Sequence, residues 1–277
     1  MYSSEETEAS KSALMELCLA LRRYHEDIVL VGGWAPYFLV DRYFPHCGSK
    51  DIDLALKREI APHYETIRES VIDLGYHEIS PFRFAKNVRS WVDERDHEVK
   101  LDLLCDRGNN DPLDRTGFHQ VQDDVLAHMF KGMELAFVFN SEHEIRVRLP
   151  NNGWADARIR IIDLVGSFAL KGQAILGRHN PKDFYDIFSL TYYNENPKAA
   201  ADYFIQSLSG KKLSKETKSL LDESFSFISS AFSSPDEHGS FQVELFSPSH
   251  SRFMVHAQMK KFLDEIQRQL AEGRAGE

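Results

Sequence analysis

The run Asp51-Ile52-Asp53-Leu54-Ala55-Leu56 alternates acidic and apolar residues. On a strand, residues i and i+2 point to one face, so Asp51 and Asp53 project together while Ile52 and Leu54 face the core. Two carboxylates that close repel each other. A divalent cation resolves the repulsion, and a site built from a few hard oxygens suits Mg²⁺, or Mn²⁺, carrying phosphates. Taken alone, an Asp-x-Asp pair also describes a plain solvated strand face, which is the commoner case.

Two neighbouring features narrow the choice. Upstream, Val29-Leu30-Val31-Gly32-Gly33-Trp34 reads as a buried strand, a tight turn and a helix start. Glycines at such a turn let the backbone approach a phosphate, and the first turn of a helix offers free N–H groups to an anion. Ser49, just before the acidic pair, is a candidate phosphate contact through its hydroxyl. Downstream, Val99-Lys100-Leu101-Asp102-Leu103-Leu104 is a second alternating strand that carries a third acid, Asp102.

A Gly-Gly turn, an Asp-x-Asp strand and a third acid on a later strand resemble the nucleotidyltransferase superfamily of the DNA polymerase beta type. The second half sharpens the resemblance. Lys171-Gly172-Gln173 and Arg178-His179-Asn180-Pro181-Lys182-Asp183-Phe184-Tyr185-Asp186 look like the Lys…Arg…Lys-Asp-x-x-Asp segment of AbiEii-type nucleotidyltransferases. Those are the toxin components of abortive-infection and toxin–antitoxin pairs. The resemblance covers residues 28–190 by motif. It implies that Asp51, Asp53 and Asp102 bind the metal and carry catalysis, with Asp102 activating the acceptor hydroxyl. It also implies that Gly32, Gly33, Ser49, Lys171 and Arg178 hold the nucleotide and that Asp183 is a further active-site acid. From spacing alone, Lys171 and Arg178 are expected on one helix face and Asp183 and Asp186 on a face of the next. Those four residues read equally as a salt-bridge network between neighbouring helices. The chain departs from the family pattern at Cys47, where related sequences often carry Arg. That change bears on nucleotide affinity or base choice, and Arg42 is the nearest substitute.

The elements that must position these residues follow from periodicity. Residues 1–10 are polar and expected to fray. Helices are expected at 11–25, 34–40 and 59–74, and strands at 28–31, 51–56, 99–104, 135–139, 145–149 and 158–162. Beyond residue 163 only helical patterns remain, at 163–177, 180–194, 197–208, 214–231 and 250–271, with Ser233–Ser240 a loop by composition. The expected fold class is therefore α+β. A nucleotidyltransferase fold would have a mixed sheet in an N-terminal catalytic lobe (1–160) and a helical C-terminal lobe (161–277) completing a nucleotide cleft.

Composition bounds the function. The 277 residues are 42% hydrophobic and 27% charged, with a net charge of −10. That is a globular composition, and the acidic balance argues against a broad, sequence-blind nucleic-acid clamp. The start lacks a secretory signal, no apolar run reaches the ~18 residues of a membrane span, and three cysteines without a CxxC pair suit a reducing cytoplasm. His46 beside Cys47 makes a poor zinc pair without a second pair, and Phe118, Phe130, Phe137 and Phe139 read as core. The leading expectation is transfer of a nucleoside monophosphate from an NTP to an acceptor hydroxyl. The acceptor could be tRNA or another RNA, or a protein, with an antitoxin as possible partner. The alternatives are a small-molecule enzyme of the aminoglycoside type and a non-catalytic nucleotide-binding module.

Overall fold

A computed structural model describes residues 2–108 and 117–275, with the side chains of 273–275 excepted. In chain order the elements are α1 (Ser4–Ala20), β1 (Ile28–Val31), α2 (Trp34–Val40), β2 (Ile52–Leu56), α3 (Ile67–Asp73), β3 (His77–Ser80), β4 (Arg83–Arg89), β5 (Asp96–Asp106), β6 (Phe118–Gln122), β7 (Val125–Phe130), α4 (Leu135–Val138), β8 (Asn140–Arg148) and β9 (Trp154–Ile162). They continue as α5 (Leu164–Gly177), α6 (Pro181–Leu190), α7 (Pro197–Leu208), α8 (Lys215–Ala231), α9 (His238–Phe246) and α10 (Arg252–Ala275). The architecture is α+β, with the strands in the N-terminal region and helices thereafter.

The chain divides into two compact units. One comprises residues 2–35 and 47–162 and holds the sheet; the other takes in 36–46 together with 163–277 and is helical. The division falls inside α2, after Ala35.

In the first unit the sheet order is β3-β4-β5-β2-β1-β9-β8, with β7 joined to β5 and β6 to β7. It is mixed: β1 runs antiparallel to β2 and parallel to β9, while β2 runs parallel to β5. Strands β1 and β2 are almost wholly apolar on the core side, with Val29, Leu30, Ile52, Leu54 and Leu56 buried. Helix α1 packs on β5, β8 and β9 through a stripe that includes Ala9, Ala13, Leu14 and Leu17.

Several expectations are corrected. Residues 4–10 are helical rather than frayed, because Ser3 and Glu6 form a capping box: the Glu6 N–H donates to Ser3 Oγ and the Ser3 N–H to the Glu6 carboxylate, both at 3.3 Å. This satisfies amides that would otherwise lack partners and starts α1 at Ser4. The helix expected over 59–74 is confined to Ile67–Asp73, because Pro62 cannot donate within a helix and a second capping box, Thr66 with Glu69, sets the start. The run at 135–139 is α4 rather than a strand. Short apolar runs carry no period that distinguishes the two. Nor are all four phenylalanines core: Phe139 is buried, but Phe130 is 45% exposed.

In the helical unit the loop expected at 233–240 is shorter, since His238, Gly239 and Ser240 begin α9. Gly239 is required there by close approach. A Cβ at this position would lie 2.6 Å from the carbonyl oxygen of Ala231, at the end of α8. Phe168, Phe204 and Phe262 form the aromatic centre of this unit, with edge-to-face geometry at 5.6 and 6.1 Å. Among the described residues no helix is long and apolar enough to cross a membrane.

Gly239→Ala therefore forces backbone apart and is expected to destabilise the fold by about 1–3 kcal/mol in urea unfolding, with unchanged m-value.

Candidate functional site

The acids of the sheet unit meet through register. In the parallel pair β2–β5, Asp53 lies opposite Asp102. In the antiparallel pair β4–β5, Asp102 lies opposite Arg83. Laterally paired residues share a face, so Asp53, Asp102 and Arg83 form one row across three strands. Asp51 lies two residues before Asp53, and its carboxyl feels Lys100, Asp102 and Arg83. All three carboxylates act on the Arg83 guanidinium.

That guanidinium is the main electrostatic feature that motif reasoning missed. Its Nε donates to Asp102 Oδ1 and its Nη2 to Asp102 Oδ2, each at 2.6 Å. The two-pronged match raises the already high pKa of Arg83, first through the hydrogen bonds and then through the neighbouring acids. Asp51 shifts the other way from an ordinary ion-paired acid. Desolvation raises its pKa, the charge of Asp102 adds to this, and Lys100, Arg83 and Lys50 oppose it. No periodicity in the sequence marks Arg83, because its role depends on which strand lies beside β5.

Gly32 closes the other side of the row. It follows β1 with φ +66°, a backbone conformation that L side chains rarely adopt. A Cβ on Gly32 would sit 1.8 Å from Asp53 Oδ2 and 2.8 Å from Asp53 Cβ. Backbone and carboxylate thus touch where any side chain would intrude. Gly33 is buried and leads into α2, whose Trp34 donates from Nε1 to Ser10 Oγ at 3.0 Å. Ser49 is buried, 8% exposed, in the segment before Asp51. Cys47 donates from Sγ to the Gly48 carbonyl, and Arg42 belongs to the other unit.

Mg²⁺ or Mn²⁺ can be tested against this donor set. Three hard carboxylate oxygens on one sheet face, beside a glycine whose missing side chain leaves Asp53 room, are the right chemistry for either ion. Among the described residues, however, no three Asp, Glu, His or Cys side chains stand gathered as a ready metal cluster. Asp102 gives both oxygens to Arg83, which already supplies positive charge to the row.

The helical unit brings together a second set. Lys171 on α5 lies 2.8 Å from Asp183 Oδ1 and 2.6 Å from Asp186 Oδ2 of α6. Arg178 donates from Nε to Asp183 Oδ2 at 2.8 Å. It does so from the extended residue that ends α5, not from a helix face shared with Lys171, because α5 stops at Gly177. Lys182 pairs with Asp186 one turn earlier on α6. His46 donates from Nε2 to Asp186 Oδ1 at 2.9 Å, the tautomer required by an acceptor-only carboxylate. Asp183, Asp186, Lys171, Lys182 and His46 are all buried.

The charges in this set settle one another. Burial opposes ionisation of Asp183 and Asp186, but Lys171 with Arg178 for the first, and Lys171 with Lys182 for the second, outweigh it and hold both below the usual carboxylate range. Lys171 stays charged despite burial because both acids face it. Burial, and then Lys182, push His46 down to about 4 against the pull of Asp186. His46 and Lys182 were not picked out by sequence reasoning for this role. The i, i+4 spacing of Lys182 and Asp186 was a usable signal; His46 carried none.

No protein-family model matches the chain, and no curated protein matches it.

Two outcomes follow for the buried set. Lys171→Met leaves two buried carboxylates undercompensated and is expected to cost about 3–5 kcal/mol of stability by denaturant unfolding. His46 has a folded pKa below its unfolded value, so its contribution is complete above about pH 6.5 and is lost as pH falls towards about 4. Stability measured between those values is expected to decline with acid by on the order of 3 kcal/mol in the wild type, and His46→Asn should flatten that slope.

Proposed function

We propose that the sheet unit carries the active site of a nucleotidyltransferase, which moves a nucleoside monophosphate from a nucleoside triphosphate to an acceptor hydroxyl and releases pyrophosphate. The observation that carries this reading is the register match of Asp53 with Asp102 beside the left-handed Gly32, with Asp51 immediately before β2. The resemblance of the Gly32-Gly33, Asp51-Ile52-Asp53 and Asp102 motifs to the DNA polymerase beta type of nucleotidyltransferase supports it, and the AbiEii-like segment from Lys171 to Asp186 points within that superfamily to a toxin-like enzyme.

In this mechanism Asp51, Asp53 and Asp102 would hold Mg²⁺ or Mn²⁺, whose charge when bound would offset that of the triphosphate. The missing side chain of Gly32 lets the Asp53 carboxylate lie against the turn, and the turn's backbone amides would face the phosphates beside it. Asp102 accepts the proton of the acceptor hydroxyl as its oxygen bonds to the α-phosphorus and the bond to pyrophosphate breaks. Each Asp102 oxygen accepts one hydrogen bond from Arg83 and keeps a second lone pair, and the neighbouring Arg83 guanidinium is positioned to meet phosphate charge. Lys171, by contrast, has its ammonium committed to Asp183 and Asp186 inside the helical unit, so its part in this reading is to hold α5 on α6.

A second reading has one observation in its favour. The two-pronged Arg83–Asp102 pair already neutralises the third acid, as suits a module that binds nucleotide without turning it over.

The two readings part in one assay: labelled nucleoside triphosphates with Mg²⁺ or Mn²⁺ and, in turn, tRNA, protein or an aminoglycoside. For an enzyme, Asp51→Ala and Asp53→Ala each remove transfer by at least about 10³-fold, and chelation of the metal does the same. Transfer that survives both substitutions would overturn the proposal. Triphosphate binding with no transfer to any acceptor would favour the binding module.

A further inference from the structure

Beyond the acidic row, the same sheet face continues into rings. Strand β7 pairs in parallel with the end of β5, with Leu104 opposite His128 and Asp106 opposite Phe130. Strand β6 then places Phe118 opposite His128. Asp102, Leu104 and Asp106 alternate onto one face, so His128, Phe118 and Phe130 share the face of Asp102 and begin two residues further along β5, about 7 Å away. Phe82, immediately before Arg83, joins them. Its ring lies 4.7 Å from His128 and 5.3 Å from Phe118, while His128 lies 4.7 Å from Phe130. Phe130 is 45% exposed, and Phe82, Phe118 and His128 are only partly buried. The Arg83 guanidinium stands 5.7 Å from the Phe82 ring, so one cation borders both the acids and the aromatic edge.

We propose that Phe82, Phe118, His128 and Phe130 form a stacking platform for a nucleobase of the acceptor. The position chooses the acceptor over the donor. Gly32, the proposed phosphate turn, follows β1, on one side of Asp53, and the rings lie on the opposite side, beyond Asp102. A planar ring on this edge sets its ribose hydroxyl toward Asp102, and Arg83 meets the adjoining phosphate. An aminoglycoside has no aromatic face to lay on these rings and would repel Arg83. The net charge of −10 argues against a long, sequence-blind grip on a duplex.

This inference rests on the transfer reading for its geometry, but it is tested by binding. The full-length chain is titrated by calorimetry with a short single-stranded oligoribonucleotide in Mg²⁺ without triphosphate, and with kanamycin as a probe lacking aromatic rings. The oligonucleotide should bind, kanamycin should not compete with it, and Phe130→Ala should weaken binding on the order of tenfold. Phe130→Trp should restore it, since the exchange keeps a stacking face at an exposed position. Equal oligonucleotide affinity for wild type and Phe130→Ala, or a matching loss of kanamycin affinity in Phe130→Ala, overturns the platform. Asp53→Ala, assayed in parallel, reports separately on transfer. If it abolishes transfer while Phe130→Ala leaves oligonucleotide binding unchanged, the platform alone is wrong. If Phe130→Ala weakens binding while Asp53→Ala retains transfer, the platform stands and the catalytic reading fails.

Discussion

Like charges held on one face of a sheet repel, and the sheet unit is organised around that problem. Asp51 lies just before β2 and Asp53 within it, and the parallel pairing of β2 with β5 sets Asp102 beside Asp53. Partial desolvation works against ionisation in this row, and together with the charge of Asp102 it shifts the Asp51 pKa upward. The guanidinium of Arg83, delivered by β4, is the compensation: it grips Asp102 through two hydrogen bonds and is felt by the other two acids. Everything proposed for this face depends on how that balance shifts when a cation or a phosphate arrives.

The helical unit answers the same problem in the opposite way. Its carboxylates, Asp183 and Asp186, are fully enclosed, and three cationic side chains and one neutral imidazole surround them. A buried network of this kind adds little to stability compared with an apolar core, yet it fixes which turn of α6 faces α5, because any slip would strand a charge. The contrast is chemical as well as structural. Asp102 is buried, but its partner Arg83 is partly exposed and can exchange partners. In the Lys171 network the two carboxylates are enclosed and held by ion pairs to Lys171, Lys182 and the more exposed Arg178.

Some features were legible in the chain itself. Alternation in the segments around Asp53 and Asp102 gave both strands and their polar face, and the Val31-Gly32-Gly33 junction gave the turn. The helical second half was readable from its periodicity almost to the residue in α5, α7 and α8. The errors lie where local signals compete. Residues 135–139 are too short to carry a period, composition hid the start of α9, and a polar N-terminus concealed a capping box at Ser3. Phe118 and Phe130 were assigned to the core by residue type, although only packing decides whether the sheet face they lie on is covered.

By itself, then, the sequence determined the properties that travel with short stretches of backbone: which acids share a strand face, where glycine permits a left-handed turn, and which segments are helical. Tertiary structure alone decided who stands beside whom. That β5 rather than another strand flanks β2, in the register that matches Asp53 with Asp102, that Arg83 reaches that row, and that His46 and Lys182 close on Asp186 all follow from long-range pairing. A shift of one residue in such pairing would turn every side chain to the other face, and no local pattern encodes it; burial of the whole apolar surface does.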